Sequence, residues 1–297
     1  MRLTIIGNGF DLHHGIPSSY SQFKSYVKQT NPVLHNRFEN YVSCDEYWND
    51  FEEALASFDT DQAIDEASNF LVPYGAENWS DAYHHDYQYE LGNIVSACSS
   101  ELFNHFCMWI RSLEVLPPAS ASNSLVNIDR SSLFLTFNYT HTLSQIYNIP
   151  PNQILHIHGC TTSPDNEIIL GHDWSPEEIG SLNDNINGED ADTRVHEGNE
   201  IVDSYFKDTF KPTTDIIEKN KVYFNSLSHI TSIDVMGHSL SSVDIPYFEE
   251  ITSKIDKKNV LWRISYYDNE ALLKSINTME QLGVPCGSIS YVPISKF

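Results

Sequence analysis

The segment IIGNGFDLHHGIP, residues 5–17, decides how this chain is read. Leu3-Thr4-Ile5-Ile6 is a short apolar run that stops at Gly7, the pattern of a buried strand. Gly7, Asn8 and Gly9 then permit a tight turn, and Gly15 and Pro17 punctuate the approach to a helix. A strand–turn–helix unit of this kind can offer backbone N–H groups to a phosphate. The dinucleotide fingerprint is incomplete here. Its third glycine would fall at Leu12, and Lys28 stands where an acidic residue would be expected. The glycines alone do not separate a phosphate cradle from an empty turn.

Working outward, Ser19-x-x-Gln22 has the form of a capping box, and Tyr20, Phe23 and Val27 recur at helical spacing. The pattern stays helical and acidic to about residue 116, with Trp48, Phe51, Leu55 and Phe58 on one face. Residues 117–127, rich in Pro, Ser and Asn, read as a surface loop. Short apolar runs at 132–139, 153–159 and 167–172 read as strands with polar or glycine-containing tips. A polar loop is expected over 177–200, with helices at about 200–209 and 213–227. From residue 232 the order is strand, helix, strand, helix, strand. The expected fold is α/β: a Rossmann-like parallel sheet covered by helices. It is expected to form one domain over 1–297, with an acidic helical insertion at 18–118 after the first strand.

The 297 residues suffice for a sizeable core, and 40% hydrophobic content is that of a folded protein. Net charge is −24, and fifteen Asp or Glu but no Lys or Arg lie between Arg37 and Arg111. Such a surface disfavours direct nucleic-acid binding, whose affinity comes largely from cations neutralising phosphates. Five scattered cysteines form no CxxC pair, so neither a zinc module nor a disulfide framework is expected. No apolar run reaches the roughly 18 residues of a membrane span and no signal-peptide pattern is present, so no membrane association and a cytoplasmic location are expected.

In parallel sheets ligands bind beyond the carboxyl ends of the strands. That rule selects Gly7-Asn8-Gly9, Asn138-Tyr139-Thr140, His158-Gly159, Gly171-His172 and Gly237-His238-Ser239. Asp11 suits an Asx-turn, a helix cap or a contact to a ribose hydroxyl, whereas a metal site with His13 and His14 is disfavoured because adjacent histidines point apart. Asn138 is either a cap or a neutral amide for a sugar hydroxyl or a water. His156 and His158 share one side of their strand. His158, at the tip, is the better general base and His156 the better core residue. His172 and His238 suit either phosphate contacts or turn hydrogen bonds.

Four of these tips resemble sirtuin segments in the same order: GNGFDLHHGIPSSYSQF, TFNYT, HIHG and VMGHSLSSVD. More closely, IIGNGFDLHHGIPSSYSQF, WNDFE, FNYTHTL, IHG, LGHD and GHSLSSVD together resemble the AbiH family of bacterial abortive-infection proteins, from Ile5 to about Tyr247. The resemblance implies an anti-phage effector with a sirtuin-like NAD-binding fold. It places Asn138 and His158 at catalytic positions, and Gly7, Asn8, Gly9, Asp11, Gly15, Pro17, Gly237, His238 and Ser239 on nucleotide contacts. Two departures are plain: the four zinc cysteines of sirtuin deacylases are absent, and Thr140 stands where sirtuin-like sequences have Asp. The expected chemistry is hydrolysis of the nicotinamide–ribose bond, with NAD as substrate, no dissociable cofactor and no metal. The rivals are a non-catalytic nucleotide sensor in a defence complex and a metal-dependent nuclease or phosphohydrolase. A defence partner or a second copy of the chain is the expected macromolecular contact, with the acidic aromatic helices between Trp48 and Trp109 as its surface.

Overall fold

A computed structural model describes residues 1–77, 79–115, 125–184 and 192–297. Most of the loop expected at 117–127 and the middle of the one expected at 177–200 lie outside the described residues. The chain divides into two compact units. The first comprises Met1–Ser19, Cys107–Ile169 and Pro212–Phe297; the second comprises Tyr20–Phe106 and Leu170–Lys211.

The first unit holds a six-stranded, all-parallel sheet. Its strands are β1 (Arg2–Ile6), β2 (Leu133–Thr136), β3 (Ile154–His156), β4 (Ser232–Met236), β5 (Leu261–Tyr266) and β6 (Ile289–Pro293). Their order is β3-β2-β1-β4-β5-β6, so the winding direction reverses between β1 and β4. Both faces are covered, which explains why the strands read as continuous apolar runs. Leu3, Ile5, Leu135, Ile233, Val235, Trp262 and Ile264 share one core with Tyr247, Phe248 and Ile251 of the helix Ile245–Lys254. Ile6, Phe134 and Met236 share the other with Phe10 of the helix Asn8–His13 and Leu143 and Ile146 of the helix Thr142–Tyr147. The α/β class expected from the sequence is the fold observed.

The run at 167–172 is not a strand. A single turn at Asp165–Glu167 precedes it, and Ile169 makes one backbone bond, its N–H donating to the His158 carbonyl at 3.0 Å. β3 has already ended at His156, so the run has no strand edge against which to build a ladder.

The second unit is helical. Phe23, Phe38, Trp48 and Phe51 pack ring to ring at its centre, with centroids 4.8–5.9 Å apart. Lys211, fully buried, forms an ion pair with Glu52. The polar stretch expected as a loop over 177–200 instead contains the start of a sixteen-residue helix, Thr193–Asp208, capped by Asp192, whose side chain accepts from the Arg194 N–H. Its buried face includes Arg194, Gly198 and Asn199, so no apolar period announces it. Gly198 lets the helix Asp86–Ser96 approach, since a Cβ there would lie 2.4 Å from Tyr87 Cε1 and 2.8 Å from Leu91 Cδ1. Gly198→Ala is therefore expected to lower stability by about 1–2 kcal/mol despite alanine's higher helix propensity. Urea unfolding checks this, and a stabilised variant would contradict it.

Candidate functional site

At the carboxyl edge of the sheet the tips of β1 and β4 touch. The Gly7 N–H donates to the Met236 carbonyl at 3.0 Å, and the Gly9 N–H to that of Gly237 at 2.7 Å. A Cβ on Gly7 would lie 2.5 Å from His238 Cα, and one on Gly237 (φ +67°) would lie 2.1 Å from the Phe10 nitrogen. These glycines serve close backbone approach, and the two amides are already engaged by carbonyls. The Asn8 side chain donates to the Ser18 carbonyl at 2.9 Å and accepts from the Ser18 hydroxyl at 2.5 Å. It thereby ties the tip to the Gly15-Ile16-Pro17 loop. Gly15 (φ +78°) ends the first helix in the left-handed region, and the Ile16 N–H returns to the Asp11 carbonyl. His14 is a core residue: its Nδ1–H donates to the Phe10 carbonyl at 2.7 Å, and its Nε2 accepts from Tyr147 Oη at 2.6 Å. Burial lowers its pKa and favours that neutral ring.

Asp11 is buried inside this short helix rather than capping it or forming an Asx-turn. Its carboxylate accepts from Thr140 Oγ1 at 2.5 Å and from Thr142 Oγ1 at 2.7 Å, across 129 and 131 residues of chain. Burial pushes its pKa from 3.8 up to about 6, against the two threonine hydroxyls and, more weakly, the Asn138 amide. Because the native state holds this proton more tightly than the unfolded chain, Asp11 favours folding below about pH 4. That contribution is lost as pH rises through about 6. The separation is worth roughly 3 kcal/mol at most. Asp11→Asn is expected to flatten the wild-type fall in stability between pH 4 and 6.5; equal slopes in the two proteins would contradict the assignment.

Asn138 lies just past β2, 6% exposed, and neither polar atom of its side chain makes a hydrogen bond of good geometry. Its backbone is held from both sides: its N–H donates to Thr136 Oγ1, and its carbonyl accepts from His156 Nδ1–H. Burial lowers the His156 pKa to about 4, so that ring is neutral. His158, just past β3, is 3% exposed, with Nε2 3.7 Å from Asp244 Oδ1. His238 Nε2 is 3.4 Å from the other oxygen of the same carboxylate. The Leu240 N–H donates to His238 Nδ1 at 2.9 Å, which puts the proton of the neutral His238 ring on Nε2, toward Asp244. Phe137 lies edge-on to both imidazoles, with centroids 5.2 and 4.3 Å away. Ser239 is exposed beside them. His172 belongs to the second unit, fully buried, its Nδ1 accepting from the Trp174 N–H.

Two cavities adjoin the tips. One of about 440 Å³ is lined by Thr140, His141, Gln145 and Thr161 among others. The second, about 260 Å³, is lined by His156, Gly159 and Ser163 among others. Asn138 and His158 line neither. Among the described residues no cluster of three or more His, Cys, Asp or Glu is arranged to hold a metal ion, and no helix is long and apolar enough to cross a membrane.

The family model described as bacteriophage abortive infection AbiH matches residues 3–266, a span that contains every strand tip above except that of β6. The chain belongs to the AbiH family. No curated protein matches it. Membership supports an anti-phage abortive-infection role for the chain. In this AbiH protein the residues that sequence reasoning missed are Thr142 and Asp244. Both stand inside quoted motifs, FNYTHTL and GHSLSSVD, but their spacing to Asp11 and His158 exists only in space.

Proposed function

We propose that this AbiH protein is an abortive-infection effector that hydrolyses the nicotinamide–ribose bond of NAD or a related nucleotide. The observation that carries the reading is the Asn138 amide: buried, without a hydrogen bond of good geometry, and facing a carboxylate at the sheet's carboxyl edge. Leaving a buried polar group unsatisfied costs about 1–3 kcal/mol, and such a group is suited to a ligand's hydroxyl or a water. Sirtuin-like sequences carry Asp at the position of Thr140. Here the Thr140 hydroxyl instead holds Asp11, so a carboxylate still neighbours the amide. The reversal of strand order between β1 and β4 supports a nucleotide at this edge, as in a Rossmann-like or sirtuin-like sheet.

In the proposed reaction, Asn138 orients a water and the ribose hydroxyls, and His158 takes one proton from that water. The hydroxide oxygen bonds to the ribose anomeric carbon as the C–N bond breaks, and its electron pair leaves with neutral nicotinamide. No leaving-group acid is needed, because the pyridinium departs neutral. Asp11, charged above about pH 6, stabilises the oxocarbenium-like centre between the two events. NAD is the substrate, no dissociable cofactor or metal takes part, and the setting is cytoplasmic. Asn138, Asp11 and His158 are all buried, so the tips must open to admit a nucleotide, which fits an effector that stays silent until triggered by a partner or a second copy.

The engaged Gly7 and Gly9 amides favour a second reading, a sensor that binds the nucleotide without consuming it. Incubating the purified protein with NAD, with and without extract of phage-infected cells, and following free nicotinamide separates the two. Release supports hydrolysis. Thermal stabilisation by NAD that stays intact supports the sensor.

A further inference from the structure

Asp244 begins the ten-residue helix Ile245–Lys254 at its N-cap, a position where an aspartate normally accepts from the N–H of the second or third helical residue. Its side chain makes no such capping bond. Pro246, the second helical residue, has no N–H to offer. The carboxylate instead lies between two buried histidines from different strand tips, Oδ1 3.7 Å from His158 Nε2 and Oδ2 3.4 Å from His238 Nε2. The Ser241 hydroxyl also donates to Oδ2, at 3.3 Å. His238 is itself pinned, because Leu240 N–H occupies its Nδ1. Phe137 closes the aromatic side of both rings.

We propose that Asp244 is a positioning residue for His158: it accepts the His158 Nε2–H, fixing the tautomer in which Nδ1 carries the lone pair that takes the proton from water. His238 serves as its counterpart, holding the second carboxylate oxygen so that the first stays turned toward His158. When His158 takes the proton from water, the imidazolium remains beside the Asp244 carboxylate and the proton stays on the ring. The catalytic consequence rests on the hydrolase reading above; the tautomer does not. An amide at position 244 would retain one acceptor oxygen and turn an NH2 group toward one of the two imidazoles, so both rings could not keep their Nε2–H.

The test is long-range 1H–15N correlation NMR of the histidine rings in the whole chain at neutral pH, with His158 and His238 assigned by substitution. In the wild type both rings are expected as Nε2–H tautomers, a measurement that needs no folded variant. In Asp244→Asn at least one ring is expected to change its nitrogen shift pattern, with a rate loss of about 100-fold or more in kcat and KM within a few-fold. A wild-type His158 with its proton on Nδ1, or Asp244→Asn spectra unchanged at both rings, overturns the proposal. Wild-type protein that leaves NAD intact under every trigger counts against hydrolysis alone, because the ring tautomers still decide the role of Asp244.

Discussion

Nicotinamide release by Asn138→Ala and by His158→Ala is expected to fall by about 10²–10⁴-fold relative to wild type, with both proteins folded. The two losses have different origins. His158→Ala removes the proton acceptor, so added imidazole is expected to restore part of the rate in that variant only. Asn138→Ala removes the group that orients the water and sugar. Its loss is therefore expected in kcat, and also in KM if the amide holds ribose hydroxyls before reaction. Asn138→Ala should in addition be as stable as wild type or more so, because it deletes a buried amide that lacks a hydrogen bond of good geometry. Unaltered turnover in both variants would sink the mechanism.

The second large effect is on folding. Gly237→Ala is expected to cost about 4 kcal/mol. A side chain at φ +67° is strained by about 1–2 kcal/mol, and its Cβ would meet the Phe10 nitrogen at 2.1 Å and the Gly9 carbonyl carbon at 2.5 Å. Those contacts are backbone, so no rotamer change relieves them, and the β1 and β4 tips must separate. Gly15→Ala is the matched control. Its φ of +78° is equally left-handed, but no atom lies within 4 Å of a Cβ there, so a loss of only about 1–2 kcal/mol is expected. Chemical unfolding of the two variants side by side checks the argument; equal losses would mean that close approach at the switch point adds nothing.

The same comparison shows what was readable along the chain. The strands of the first unit and their covering helices were legible because periodicity is local: Leu3 and Ile5 face one core and Ile6 the other. The helix Thr193–Asp208 was not legible, because its buried face carries Arg194, Gly198 and Asn199 and its fit depends on Tyr87 and Leu91. The run at 167–172 misled for the converse reason: it has strand composition but no strand beside it. Asp11 read equally well as a turn residue, a cap or a ribose ligand. Its partners, Thr140 and Thr142, are more than a hundred residues away.

By itself the amino-acid order determined the parallel α/β class, the set of strand tips at which chemistry could sit, and through six motifs the AbiH family. These follow from local apolar period, glycine punctuation and residue identity. Tertiary structure alone decided what the tips do to one another. It turned Gly7, Gly9 and Gly237 into a backbone contact, raised the pKa of Asp11 by burial, left the Asn138 amide without a well-formed hydrogen bond, and set Asp244 between His158 and His238. Desolvation and charge pairing depend on which distant side chains converge, and linear spacing does not carry that information.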